Sequence, residues 1–223
     1  MAYRRTESVI RKQAARRARI IEAAFEIAAE GGLGAVQIAA VAARAGIAAG
    51  TVYRYFSSKS ELVSAVVTMV SGREVAAMRN AAIDAPGPVS ALATCIATFA
   101  ARALSARRLT WAVIAEPAEA GIEPARLAYR RILAHELQSR IATAIKAGHL
   151  PLQNEALSAS ALVGALLEGL LGPLAPDTFA HPSRGREAVQ TLTLLALRAL
   201  GVKDSRARGL VVQVALPVSE AAG

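Results

Sequence analysis

Between Ile21 and Phe56 the apolar residues return every three or four positions, and glycines cut that rhythm into three short pieces. Ile21, Ala24, Phe25 and Ala28 fall at i, i+3, i+4 and i+7, one face of a helix that Gly31-Gly32 ends. Ile38, Val41, Ala42 and Ala45 repeat the pattern until Gly46. Thr51 to Phe56 then forms a third short helix, stopped by Ser57-Ser58. Short helices that cross steeply need a tight turn, and Gly46 tolerates the positive φ such a turn demands. Ile38, Val41, Ala42, Ile47, Val52 and Phe56 are expected to pack against Ile21, Phe25 and Ala28. The other side of the third helix then shows Thr51, Tyr53, Arg54 and Tyr55 to solvent, a rim narrow enough for a DNA major groove of about 12 Å.

The side chains suit that groove. Arg54 has the forked donors that read guanine, and Thr51 reaches a base or a phosphate. Tyr53, Tyr55 and Lys59 suit phosphate contacts that fix register. Ala48, Ala49 and Gly50 are small and let backbone approach closely, while Gln37 opens the second helix beside a phosphate. Charge agrees. Lys and Arg number 26 against 17 Asp and Glu, a net +9 that points to a polyanionic partner. The excess concentrates ahead of Ile20, where Arg4, Arg5, Arg11, Lys12, Arg16, Arg17 and Arg19 stand against Glu7. Such an arm either tracks the DNA backbone or is a solvated tail.

The remainder is helical by periodicity, with segments near 88–105, 108–116, 124–147, 155–171 and 185–200 separated by Pro and Gly. Aromatic residues are only 4%, so the core must be Ala, Leu, Val and Ile. The fold class is all-α: a three-helix helix-turn-helix head and a larger helical body. Gly209 to Leu216 alternates like a strand without a partner and is expected to be poorly ordered. Cys95 stands alone among apolar neighbours and reads as core. No secretory signal and no clean membrane-spanning run is visible, so a soluble, cytoplasmic protein without membrane contact is expected.

The stretch from Ala18 to Val66 resembles the DNA-binding region of the TetR family of bacterial repressors. Val52-Tyr53-Arg54-Tyr55-Phe56, followed by Ser58-Lys59-Ser60-Glu61-Leu62, carries the likeness. The resemblance implies a homodimer with DNA-binding heads and a body that binds a small-molecule effector, without a cofactor. Residues 1–17 would be a basic arm, 18–64 the DNA-binding domain, 65–202 the ligand-binding and dimerisation domain, and 203–223 the tail. It places Thr51, Tyr53 and Arg54 at recognition-helix contact positions and Tyr55 and Lys59 at phosphate-gripping ones. Gln37 and Ala48 depart from the Ser or Thr often found in the family, which weakens both helix caps.

In the body, Phe99, Trp111 and Tyr129 are candidate pocket walls, with Glu116, Arg126 and Arg130 as polar groups near a helix end. Arg126 or Arg130 would orient an anionic ligand or pair with Glu116. The Leu- and Ala-rich surroundings suggest an apolar or amphipathic effector. Leu162, Ala165, Leu166 and Gly169 on one late helix, and Val189, Leu192, Ala196 and Ala199 on the last, mix small and apolar residues as a four-helix dimer interface does. His135, His149 and His181 are dispersed, and Glu116, Glu119 and Glu123 flank a connection, so neither a metal site nor catalysis is expected. The reading is a homodimeric repressor that binds a palindromic operator and leaves it on binding effector. The rival is a basic, helical small-molecule-binding protein without sequence-specific DNA binding.

Overall fold

The computed structural model describes residues 2–116, 120–176 and 184–213. His181, Glu119 and the stretch beyond Gln213 lie outside them. Ten α-helices fill the described residues, with no strand among them: α1 Ala2–Gly31, α2 Ile38–Ala45, α3 Ala49–Tyr53, α4 Lys59–Ala81, α5 Pro88–Ser105, α6 Arg107–Ile114, α7 Glu123–Lys146, α8 Glu155–Leu170, α9 Gly185–Ala199 and α10 Asp204–Gln213. Two compact units emerge. Residues 1–70 group with 111–127, and residues 71–110 group with 128 onward. The division interleaves along the chain, unlike the single boundary near residue 65 that sequence suggests.

In the first unit, Ile20, Ala24, Ala28, Val41, Val52, Phe56, Leu62 and Val66 are closed to solvent or nearly so. Ala24, Ala28, Val41, Val52 and Phe56 are residues whose spacing marks a buried face, as is Ile21 at 8% exposure; Ile20 lies outside that spacing, and Phe25, Ile38 and Ile47 are only half-buried. Gly46 sits at φ 64°, ψ 42°. Its N–H donates to the Ala43 carbonyl at 3.1 Å and the Ile47 N–H to Ala42 at 3.0 Å, so two orphan carbonyls at the end of α2 are satisfied within one turn. The basic arm is not separate: α1 runs unbroken from Ala2 through the head.

In the second unit, α5 is central and packs on α8, α9 and α10. Its mean hydropathy of 1.3 over 18 residues makes it long and apolar enough to cross a membrane by composition. Yet Val89, Leu92, Ile96, Phe99 and Ala100 are buried, so its apolar surface is already used in packing. The Cys95 thiol is also buried; desolvation pushes its pKa up to about 12, and it donates to the Met78 carbonyl at 3.3 Å. Residues 204–213, expected to be poorly ordered, form α10. Ala207 and Val211 bury against the unit, while Asp204 accepts from both Arg198 and Arg208. Alternation in Gly209 to Gln213 therefore reflects a short helix with few inward residues.

A candidate nucleic-acid interface

The short helix α3 is held by one side and presents the other. Val52 and, just beyond the helix, Phe56 are 0% exposed, whereas Tyr53 is 56% exposed. Ala48, Ala49, Gly50 and Arg54 are exposed, and Thr51, Tyr55 and Lys59 are half-buried at the edge. The nine candidate DNA-contacting residues, Gln37 included, lie in the first unit with solvent-accessible surface.

The caps follow the substitutions. Ala48 caps α3 in an extended conformation with no side-chain bond, and Gln37 likewise precedes α2 without capping it. The Gln37 amide donates instead to the Gly34 carbonyl at 2.9 Å, across its own turn. The start of α4 is better fastened. Ser58 Oγ accepts from the Glu61 N–H at 3.1 Å, and Glu61 accepts from both the Ser57 N–H and the Ser57 hydroxyl at 2.7 Å. These bonds from Ser57 hold the Glu61 carboxyl below its ordinary pKa. The arrangement is a variant capping box one residue longer than usual, and it positions Lys59 on the first turn of α4.

Contacts that sequence reading did not anticipate brace the reader. Arg44 on α2 reaches Glu30 at 3.0 Å and Glu26 at 3.3 Å, two carboxylates one turn apart on α1. Arg44 correspondingly keeps the Glu30 carboxyl below its usual range. The Arg17 guanidinium lies 4.8 Å from the centroid of the Phe56 ring. The i, i+4 spacing of Glu26 and Glu30 is visible in sequence, but their partner on another helix is not.

The six candidate ligand residues divide between the units. Trp111, Glu116 and Arg126 belong to the first; Phe99, Tyr129 and Arg130 belong to the second. Glu116 accepts from the Leu33 N–H at 2.9 Å, beside Gly32 at φ 79°, where a Cβ would meet its carboxylate oxygens at 3.0 Å. Arg126 is 4% exposed and donates to the carbonyls of Ala112 at 2.8 Å and Glu116 at 2.5 Å, and to Glu123 at 2.9 Å. These groups fasten the α6–α7 connection and the turn after α1; Arg126 binds the Glu116 backbone, not its carboxylate. Trp111 is half-buried and Arg130 exposed.

Phe99 and Tyr129 sit in a different setting. Phe99 lines a tight apolar seam with Met78, Leu133, Leu137, Val163 and Leu166, too narrow for a water-sized sphere. One turn along α7, Tyr129 is 1% exposed and its hydroxyl has no hydrogen-bond partner among the described residues. Burial pushes its phenol above the ordinary range, with Glu74 adding to the shift and Arg102 opposing it. Those two form a two-pronged pair at 2.7 and 2.8 Å.

The eight residues expected at a dimer interface are mostly spent inside the chain. Leu162, Leu166, Val189, Leu192 and Ala196 are buried in the second unit, leaving Ala165 and Ala199 exposed and Gly169 intermediate. Gly169 packs on Leu192, whose Cδ1 would lie 3.3 Å from a Cβ added there. The faces rich in Leu thus serve packing inside the second unit, where α9 and α8 lie against α5 and against each other.

Residues 20–66 match the family described as bacterial regulatory proteins, tetR family. Over 51 residues the chain is 55% identical to the HTH-type transcriptional repressor KstR of Mycolicibacterium smegmatis, covering 23% of this chain and 25% of that protein. KstR of Mycobacterium tuberculosis matches equally, at 55% over 51 residues and 23% of each chain. The chain thus spans about a quarter of the length of these curated relatives. The crystal structure of RolR with resorcinol superposes with a TM-score of 0.70 at 22% identity, covering 93% of this chain and 98% of that one. FadR from Bacillus subtilis, in complex with stearoyl-CoA, gives 0.65 at 17%, covering 82% and 97%. The structural likenesses extend the shared fold through the helical body.

Proposed function

Because residues 20–66 match the TetR family of bacterial regulatory proteins and the whole chain shares the fold of its structural neighbours, we propose that the chain is a TetR-like homodimeric repressor that binds a palindromic operator and releases it on binding a small apolar or amphipathic effector. The observation that carries the reading is the two-sidedness of α3: Val52 anchors it from within, and Tyr53 and Arg54 stand out from it. Arg54 reads a base edge; Thr51, Tyr53, Tyr55 and Lys59 contact the neighbouring backbone. Two heads then select two half-sites, and the operator symmetry mirrors that of the dimer.

Support for a dimer comes from what α8 and α9 leave uncovered. Leu157 is 68% and Leu195 55% exposed, and Ala161, Gly164 and Ala165 give α8 an exposed run of small residues. Support for the effector comes from the seam around Phe99 and from the unpartnered Tyr129 hydroxyl one turn away. An effector that parts the seam and hydrogen-bonds that hydroxyl satisfies a polar group otherwise buried at a cost. Resorcinol, bound by RolR, combines a small ring with hydroxyls; stearoyl-CoA, bound by FadR, brings a long apolar chain. Either chemistry suits an apolar seam with one polar end.

The test is selection of duplexes from a randomised pool with the full chain, followed by titration. A palindromic consensus is expected. Tyr53→Ala and Arg54→Ala should each weaken it by about 10- to 100-fold, the cost of about 1–3 kcal/mol per specific contact. Selection of no preferred sequence, or unchanged affinity in both variants, overturns the reading.

A further inference from the structure

The helix α1 is longer than a three-helix head requires. Ile20, Ala24, Ile27 and Ala28 supply the buried side, while residues 11–19 are all exposed. That exposed half is not a free tail. It continues the same helix, and Arg17 rests on the Phe56 ring 4.8 Å from its centroid. Its register against the helix-turn-helix is therefore fixed.

A groove of about 510 Å³ runs between this half of α1 and the helix-turn-helix. Lys12, Arg16 and Arg19 line one wall, at i, i+4 and i+7 on one helical stripe; Gly46, Ile47 and Tyr55 line the other. Among the described residues no acidic side chain lines it. The lack of a side chain at Gly46 has a second use here, since a Cβ at that position would stand 2.9 Å from the Arg19 guanidinium. Along the helix, the stripe from Lys12 to Arg19 covers about 10 Å. Along the duplex axis a DNA strand advances about 3.4 Å per phosphate, so three cations on long flexible stems, spread over this stripe, can reach successive phosphates of one backbone.

We propose that Lys12, Arg16 and Arg19 form a phosphate clamp, continuous with the Tyr55 edge of the reader, that grips the duplex backbone outside the bases facing α3. The occupant is a nucleic-acid backbone on two grounds: the groove carries only cationic charge, and it opens onto the rim assigned to DNA. The proposal rests on the reading of α3 as the recognition helix. The clamp adds affinity and footprint length without adding sequence preference, because phosphates carry no base identity.

The experiment compares the full chain with K12Q/R16Q/R19Q, with K12R/R16K/R19K, and with the body variant R184Q/R186Q/K203Q, which loses the same charge elsewhere. Gln keeps helix propensity near that of Lys and Arg, and thermal melts confirm folding. Affinity for the selected operator and for a random duplex is measured across salt concentrations, with operator flanks long and trimmed. The clamp predicts that the Gln variant loses about 2.7 from the slope of log affinity against log salt, for three phosphates at about 0.9 each. It binds both duplexes more weakly while keeping their ratio, and ceases to benefit from long flanks. The charge-conserving variant retains the slope, and the body variant retains both slope and flank dependence. An unchanged slope in the Gln variant, or an equal loss in the body variant, overturns the clamp. So does competition by inorganic phosphate at concentrations that leave ionic strength unchanged, which would mark a free-anion site. If the wild-type chain prefers no sequence while its slope on random duplex still falls in the Gln variant, the reading of α3 fails and the clamp stands.

Discussion

Arg126 holds a permanent charge where only 4% of the residue is exposed, and it does so through backbone carbonyls. The acceptors on Ala112 and Glu116 end α6 and its following turn, where helix carbonyls lack intrahelical donors. Arg126→Met keeps the packed stem but leaves both carbonyls without a donor. It should destabilise the chain by about 2–4 kcal/mol in urea titration. Glu123→Ala, at the exposed end of the same guanidinium, should change little. Sequence suggests Arg126 and Glu116 as polar groups of a pocket because both letters mean charge. Their partners here are main-chain atoms, which every residue has and no letter marks. The exposure of Tyr53 and Arg54, by contrast, is legible because the spacing of Val52 and Phe56 fixes the buried side of the turn and leaves the other side to solvent. A second residue-scale consequence concerns pH. Glu61 has its pKa lowered in the folded chain, so the stability from its bonds to Ser57 is present above the unfolded value near 4.5 and is lost as pH falls through the lower folded value. Ser57 amide protection should fall on acidification in the wild type and be already reduced, without that acid step, in Glu61→Ala.

At the scale of elements, helical periodicity marks α5, α7, α8 and α9 to within a residue or two, since each buries a face long enough to repeat the pattern. It misses the helicity of the first residues of α1 because a solvated basic helix has no apolar stripe to announce it. It misses α10 because ten residues with Ala207 and Val211 inside offer too few repeats. The late helices show a different limit. Composition reveals that α8 and α9 are sticky but not toward what, and the Leu-rich faces go to the chain's own core. The two destinations are separable by mutation. Leu166→Ala and Leu192→Ala should each cost about 2–5 kcal/mol of folding stability. Leu195→Glu, at an exposed site, should leave thermal stability of the isolated chain nearly intact and raise the dimer dissociation constant at least tenfold in analytical ultracentrifugation. A Leu195→Glu chain that remains as tightly dimeric as wild type would move the interface off this face of α9.

For the molecule as a whole, repression and release require that operator and effector favour different conformations, since a ligand equally happy in both shifts nothing. The interleaved division of the chain bears on this. Helix α4 starts at Lys59, and its residues are divided between the two units at Val70 and Ser71. On the proposed reading, the effector acts at a group in the second unit. The Tyr129 hydroxyl is buried without a partner, which costs stability in the absence of ligand and favours any ligand that completes it. Tyr129→Phe removes that oxygen and almost nothing else. The variant should melt at the same Tm or higher, because the lost group was unsatisfied, and should bind operator with wild-type affinity. An effector with a hydroxyl or carbonyl, found by screening for release of DNA, should need about a 5- to 30-fold higher concentration, the loss of one buried hydrogen bond of about 1–2 kcal/mol. A purely structural role predicts the reverse, a lower Tm with an unchanged release curve, and that outcome would place the effector elsewhere in the body.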